Sequence, residues 1–102
     1  MKNLSDISVI RQVLEKHGFN FSKALGQNFL INPSVCPRMA ENCLADENTG
    51  VIEIGAGIGV LTAELAKIAK KVVCVELDTR LLPILDETLS DFEKEYCDRR
   101  IN

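Results

Sequence analysis

Apolar residues recur at helical spacing in the opening segment. Ile7, Ile10 and Leu14 fall on one face, so a helix is expected from about Asp6 to Lys16, with Ser5 as its N-terminal cap. Lys16 and His17 suit the negative end of that helix, and Gly18 offers a left-handed stop. Residues 19–31 then lose all period while carrying three of the four phenylalanines. They read as an ordered loop that packs on a neighbour. Asn32-Pro33 has the cap-then-proline form of a helix start, and the second helix should run to about Leu44 after an irregular turn at Pro37. Asp46 to Gly50 reads as a turn.

From Gly50 the pattern becomes alternately β-branched and helical. Val51 to Ile54 is a short buried-strand signal that ends at Gly55. Ile58, Leu61, Leu65 and Ile68 recur at helical spacing. Val72 to Val75 is a second strand, closed by Glu76. A last helix, capped by Asp78 or Thr79, puts Leu81, Leu82, Leu85 and Leu89 on one side, with Pro83 in its first turn. Strand, helix, strand, helix implies a right-handed parallel βαβ unit. Two strands need more cover than these helices give, and a third strand is expected to open at Arg99 to Asn102. The expected fold class is therefore α/β, the N-terminal part of a Rossmann-like doubly wound domain that is cut short. Residues 1–49 are its helical and loop segment, and residues 50–102 its first βαβα.

Composition narrows the class. Hydrophobic residues are 46% and charged residues 26% of 102, which fits one small globular domain and argues against disorder. Residues 51–63 are the longest near-apolar run, too short and too broken by Glu53 and the glycines to span a bilayer. No secretory signal is visible, so a cytoplasmic protein is expected. Cys36, Cys43, Cys74 and Cys97 form no Cys-x-x-Cys pair and lie far from His17, so no metal site is expected and the thiols read as apolar and partly buried. The net charge of −3 divides unevenly, +3 over residues 1–38 and −6 over residues 39–102. A basic head is either a solvated face or a surface for an anionic partner.

The chemistry centres on Glu53-Ile-Gly55-Ala-Gly57-Ile-Gly59, between the first strand and its helix. Glycines there allow a tight turn and close approach of a ligand to the backbone. Glu76 follows Gly55 by 21 positions and ends the neighbouring strand, where a carboxylate can accept from both hydroxyls of a ribose. A surface position for Glu76 beside a structural glycine turn is the alternative. The third glycine comes one place too early for the dinucleotide fingerprint, and no Gly-Lys-Ser/Thr follows for a phosphate loop. Glu53 either helps hold a ligand ammonium through water or is a buried acid satisfied by backbone N–H groups.

Two blocks together resemble one family. Leu25-Gly-Gln-Asn-Phe-Leu30 lies upstream of Val51 to Gly59, and Val75-Glu-Leu-Asp78 follows. This pattern is similar to the bacterial ribosomal RNA adenine N6-dimethyltransferases, which modify two adjacent adenosines near the 3′ end of small-subunit RNA. The resemblance implies S-adenosylmethionine as cofactor, with Asn28, Leu30, Gly55 and Glu76 contacting it. It implies small-subunit ribosomal RNA, or the pre-30S particle, as partner and no membrane. The segment around Lys23 matches the region that approaches RNA, although it is less basic than is common in the family. The family's Asn-Leu/Ile-Pro-Tyr/Phe motif, which holds the target adenine, is absent from these 102 residues. No catalytic residue is therefore assigned here, and residues 1–102 alone are expected to be inactive and to self-associate along an open sheet edge. Residues 19–31 are expected to pack beside the glycine loop, with Asn28 near the strand ends. The rival readings are a non-enzymatic nucleic-acid-binding module on the same fold and an NAD-dependent oxidoreductase fragment.

Overall fold

In a computed structural model, the structure describes residues 4, 6–19, 35–93 and 97–101. The expected positions of Asn28 and Leu30, the packing of residues 20–31 and the Asn32-Pro33 helix start lie outside the described residues.

Helix α1 spans Ile7–Lys16 and buries Ile10, Val13 and Leu14. Its cap is Asp6 rather than the serine before it, since the Asp6 carboxylate accepts from the Ser8 backbone N–H at 2.9 Å. Both residue types cap well, and Asp6 takes the role because the helix begins at Ile7. Gly18, with φ of 80°, ends the helix in the expected left-handed conformation. Helix α2 spans Val35–Asn42, and Pro37 sits in its first turn, where no intrahelical N–H is needed. Asp46 then organises a turn, accepting from the Asn48 backbone N–H at 2.8 Å and from the Thr49 hydroxyl at 2.9 Å.

Strand β1 is Gly50–Ile54, helix α3 Val60–Ile68 and strand β2 Lys71–Glu76. A 3-10 turn over Thr79–Leu81, capped by Asp78, leads into helix α4, Leu82–Thr88, with Pro83 in its first turn. Strand β3, Cys97–Ile101, completes a three-stranded sheet of order β1-β2-β3, parallel throughout. The expected pair of strands is thus three, and the third begins two residues before Arg99. Cys97 explains the early start, because it pairs with Val72 and both are fully buried. The open edge expected beside β2 is filled by β3.

Leu65, Leu85 and Leu89 face inward as the leucine spacing suggests, but the other inward positions differ from it. On α3 the buried set is Thr62, Ala63 and Leu65, while Ile68 is exposed. On α4 it is Ile84, Leu85 and Thr88, followed by Leu89, with Leu81 and Leu82 only partly covered. On α3, small and hydroxylated residues take inner positions because this helix packs closely on β2 and α2. Leu4, Ala63, Cys74, Leu85, Leu89 and Cys97 form one cluster over the sheet; Ile10, Val13, Leu14, Ile58 and Ile84 form a second that fastens α1 to α4. Lys16 and His17 at the end of α1 both reach Glu87 on α4, at 2.9 and 3.0 Å, so His17 is a helix-end residue with a partner across the interface. Cys36, Cys74 and Cys97 are buried free thiols, whereas Cys43 is exposed. Burial pushes Cys74 up to about 12, with the Cys97 thiol and Glu53 adding to the effect, so it has no reactive thiolate at neutral pH.

Candidate functional site

β1 runs into the glycine loop at the C-terminal ends of the parallel strands. The Gly55 N–H donates to the Val75 carbonyl at 2.7 Å, which carries the sheet register one residue into the loop. Gly55, Gly57 and Gly59 all have positive φ, at 78°, 61° and 89°. They do so for different reasons. At Gly59 a Cβ would lie 3.0 Å from the Thr88 hydroxyl and 3.1 Å from a Leu85 methyl, so this glycine serves the packing of the loop on α4. At Gly55 and Gly57 a Cβ would meet nothing within 4 Å. Those two leave open space above the backbone, as a ligand cradle requires.

Glu76 closes the other side. Its Oε1 accepts from the Gly57 N–H at 2.8 Å and its Oε2 from the Asp78 N–H at 3.1 Å. The carboxylate therefore couples the end of β2 to the loop after β1. It does more than the surface alternative allows, and it also braces the loop itself. A carboxylate has about four acceptor sites, so two backbone bonds leave capacity for the two hydroxyls of a ribose. Thr88 adds a second brace, donating to the Ile58 carbonyl at 2.9 Å.

Beside the loop lies a cleft of about 250 Å³, lined by Glu53, Gly55, Gly57 and Ile58 from β1 and the loop and by Cys36 and Met39 from α2. Glu53 is half-buried, and its Oε1 accepts a short hydrogen bond from the Thr62 hydroxyl. Backbone N–H groups were the expected partners of a buried acid here, and a side-chain hydroxyl takes that role. Burial pushes the Glu53 carboxyl above its ordinary value, and the Thr62 bond opposes this. Burial likewise raises the Cys36 thiol, helped by Glu53 and Glu64, so this cysteine is a wall of the cleft and not a nucleophile. Thr62, Thr88, Cys36 and Met39 escaped the sequence reading. The one available signal was a threonine three places after Gly59, in the first turn of the following helix. Among the described residues no group of three His, Cys, Asp or Glu is placed to hold a metal ion, and no helix is long and apolar enough to cross a membrane.

The residues present fit a nucleoside-bearing amino acid better than a dinucleotide. Two open glycines and a braced carboxylate lie together at the strand ends, a pairing suited to a ribose, and a second carboxylate lies in the adjoining cleft. A parallel sheet with this loop and this acid defines the Rossmann-like methyltransferase class. Solved structures agree. The 23S ribosomal RNA methyltransferase ErmE is 34% identical, with a TM-score of 0.59 over 66% of this chain and 27% of its own. A dimethyladenosine transferase from Plasmodium falciparum shares the fold, with 24% identity and a TM-score of 0.62 over 70% of this chain and 26% of its own.

Within that class the chain belongs to the ribosomal RNA adenine dimethylase family, whose profile matches residues 18–97. It is 53% identical over 91 residues to ribosomal RNA small subunit methyltransferase A of Anoxybacillus flavithermus, covering 89% of this chain and 31% of that protein. The same-named protein of Bacillus thuringiensis is 51% identical over 92 residues, covering 90% and 32%. The chain thus spans about a third of the length of these relatives. Membership of this family sets aside the oxidoreductase alternative.

Proposed function

We propose that the complete protein is an S-adenosylmethionine-dependent enzyme that dimethylates N6 of two adjacent adenosines near the 3′ end of small-subunit ribosomal RNA. It acts in the cytoplasm during ribosome assembly, on the RNA or the pre-30S particle. The observation that carries this reading is the Glu76 carboxylate held 2.8 Å from Gly57, opposite the open side of the glycine loop. Glu76 accepts from the ribose hydroxyls, Gly55 and Gly57 let the ligand approach the backbone, and Glu53 receives the ammonium through water. Asn28 and Leu30 complete the contacts, as the family resemblance implies. The cofactor supplies an electrophilic methyl group on a sulfonium sulfur. The protein's contribution is to hold that methyl in line with the adenine amine and to exclude competing acceptors. The adenine must leave its stack to reach such a site. The groups that hold it are not among these 102 residues, so no residue here is assigned a catalytic role.

Incubation of the full-length protein with radiolabelled S-adenosylmethionine and small-subunit RNA tests the proposal. Label is expected in dimethyladenosine and should be lost on Gly55→Arg, which fills the open side of the loop. Label on another base, or none, overturns the assignment. Residues 1–102 alone are expected to transfer none.

A further inference from the structure

We propose that Thr62 is a positioning residue that locks the Glu53 carboxylate so that one of its oxygens faces the ammonium of the bound amino-acid cofactor. The inference rests on the cofactor reading above and assigns a role to a residue outside the glycine loop and the ribose acid.

Thr62 is 0% exposed and occupies the first turn of α3. A buried threonine in a helix commonly returns its hydroxyl hydrogen to the carbonyl three or four residues back. Here the Ile58 carbonyl, four back, accepts from the Thr88 hydroxyl at 2.9 Å, and the Gly59 carbonyl, three back, accepts from the Ala63 N–H at 2.9 Å. The Thr62 hydroxyl instead crosses to Oε1 of Glu53 on β1. Thr88 thus braces the loop carbonyl, and Thr62 holds the acid. With Oε1 tied, the second oxygen of Glu53 is left for a cation in the cleft that Glu53 lines.

The bond also sets the charge. A hydroxyl that donates to a carboxylate favours its ionised form. Burial does the opposite, and the other titratable groups around Glu53 are the Cys36 thiol from α2, Cys74 from β2 and Cys97 from β3, with Glu64 on α3 nearby. Arg99 on β3 acts on the same two strand thiols, while its Nη2 donates to the Leu89 carbonyl. Among the described residues, Thr62 donates the hydrogen bond to Glu53 that opposes the effect of burial on its carboxyl.

The test is calorimetric titration of the full-length protein with S-adenosylhomocysteine and with adenosine, from pH 5 to 8. Both ligands carry the ribose and adenine, but only the first carries the ammonium. Thr62→Val should weaken S-adenosylhomocysteine roughly tenfold, the loss of one hydrogen bond to a charged group. It should move the acid limb of that binding to higher pH and leave adenosine affinity unchanged. Thr62→Ser should restore both affinity and limb. Thr62→Ala serves with the same expectation if the valine variant does not fold. Equal weakening of both ligands with an unmoved acid limb would reduce Thr62 to a packing residue and overturn the inference. Wild-type protein that binds neither ligand would instead overturn the cofactor reading on which it rests.

Discussion

The two faces of the sheet are similar in composition but are covered very differently. One face carries Val51, Glu53, Val72, Cys74 and Cys97, and Val72, Cys74 and Cys97 are at most 1% exposed. The other carries Ile52, Ile54, Val73 and Val75 together with Lys71 and Asp98, and its two isoleucines are 73% and 77% exposed. Both faces thus mix apolar and charged residues, yet only one is covered. Topology explains the difference. The strands advance in one direction, β1 to β2 to β3, and right-handed crossovers between parallel neighbours then put α3 and α4 on the same side. A parallel strand reads as apolar on both faces, because both are normally covered. Which face this segment covers is decided by the order of its strands. The relatives are about three times as long as this chain, so the open face has ample sequence in the family to pack against it.

Substitution on the covered face should have the largest effect. Leu89→Ala removes a fully buried side chain packed with Cys74 and Cys97 and should cost about 2–5 kcal/mol of stability. Urea unfolding checks this, and a cost no larger than that of Ile54→Ala would break the distinction between the faces.

At the functional end of the covered side, Glu76→Ala in the full-length protein should weaken S-adenosylmethionine by about 1.5–3 kcal/mol. Because Glu76 also holds the Gly57 N–H, the variant should show faster amide exchange in the loop as well. Unchanged affinity in calorimetry would return Glu76 to a purely structural role.

Gly59→Ala should cost about 1–3 kcal/mol, since the new Cβ sits at positive φ and presses on Thr88 and Leu85. Gly57→Ala has the same backbone penalty without the contact, so its thermal unfolding should lie nearer the wild type. Equal losses would mean that the loop does not pack on α4 as described.

Glu53→Gln should separate function from stability. Burial raises the Glu53 carboxyl above its ordinary 4.5, so the native state binds that proton more tightly than the unfolded chain. The Glu53 contribution is therefore most favourable below pH 4.5 and declines as pH rises through the raised native value. Glutamine removes this decline. The variant should be the more stable protein at pH 7 while binding cofactor less well. Urea midpoints measured against pH that run parallel to wild type would sink the argument.

The smallest stability change belongs to the open face. Ile54→Lys should alter the unfolding of residues 1–102 by no more than about 0.5 kcal/mol. If residues 1–102 self-associate through this exposed patch, Ile54→Lys should lower their mean mass in light scattering, and an unchanged mass would exclude the patch as the contact.

Much of this molecule was legible in one dimension. The βαβ order, the position of Pro83 in a first turn, the Gly18 stop and the facing of Glu76 toward the glycine loop all follow from local pattern. Each depends on a residue's intrinsic backbone preference or on the fixed geometry of parallel neighbours. The inner faces of α3 and α4 were less legible. Leucine spacing finds Leu65, Leu85 and Leu89, but it also points to Leu61, Ile68 and Leu81, and it misses the buried Thr62, Ala63, Ile84 and Thr88. Hydrophobicity ranks side chains by their cost in water, whereas close packing of helix on sheet ranks them by size and shape.

What the sequence determined by itself is the class of site: a strand that ends in glycines, a helix after it and an acid closing the next strand. Those features are written within about twenty-five residues, from Glu53 to Glu76, and adjacent parallel strands can bring them together in only one way. Only the tertiary structure decided how the site is braced. Thr62 finds Glu53, and Thr88 finds the Ile58 carbonyl across thirty positions of chain. Such hydroxyl bonds have no period and no spacing rule. They arise where a buried donor meets the nearest acceptor left unpaired, and that is settled by packing in three dimensions.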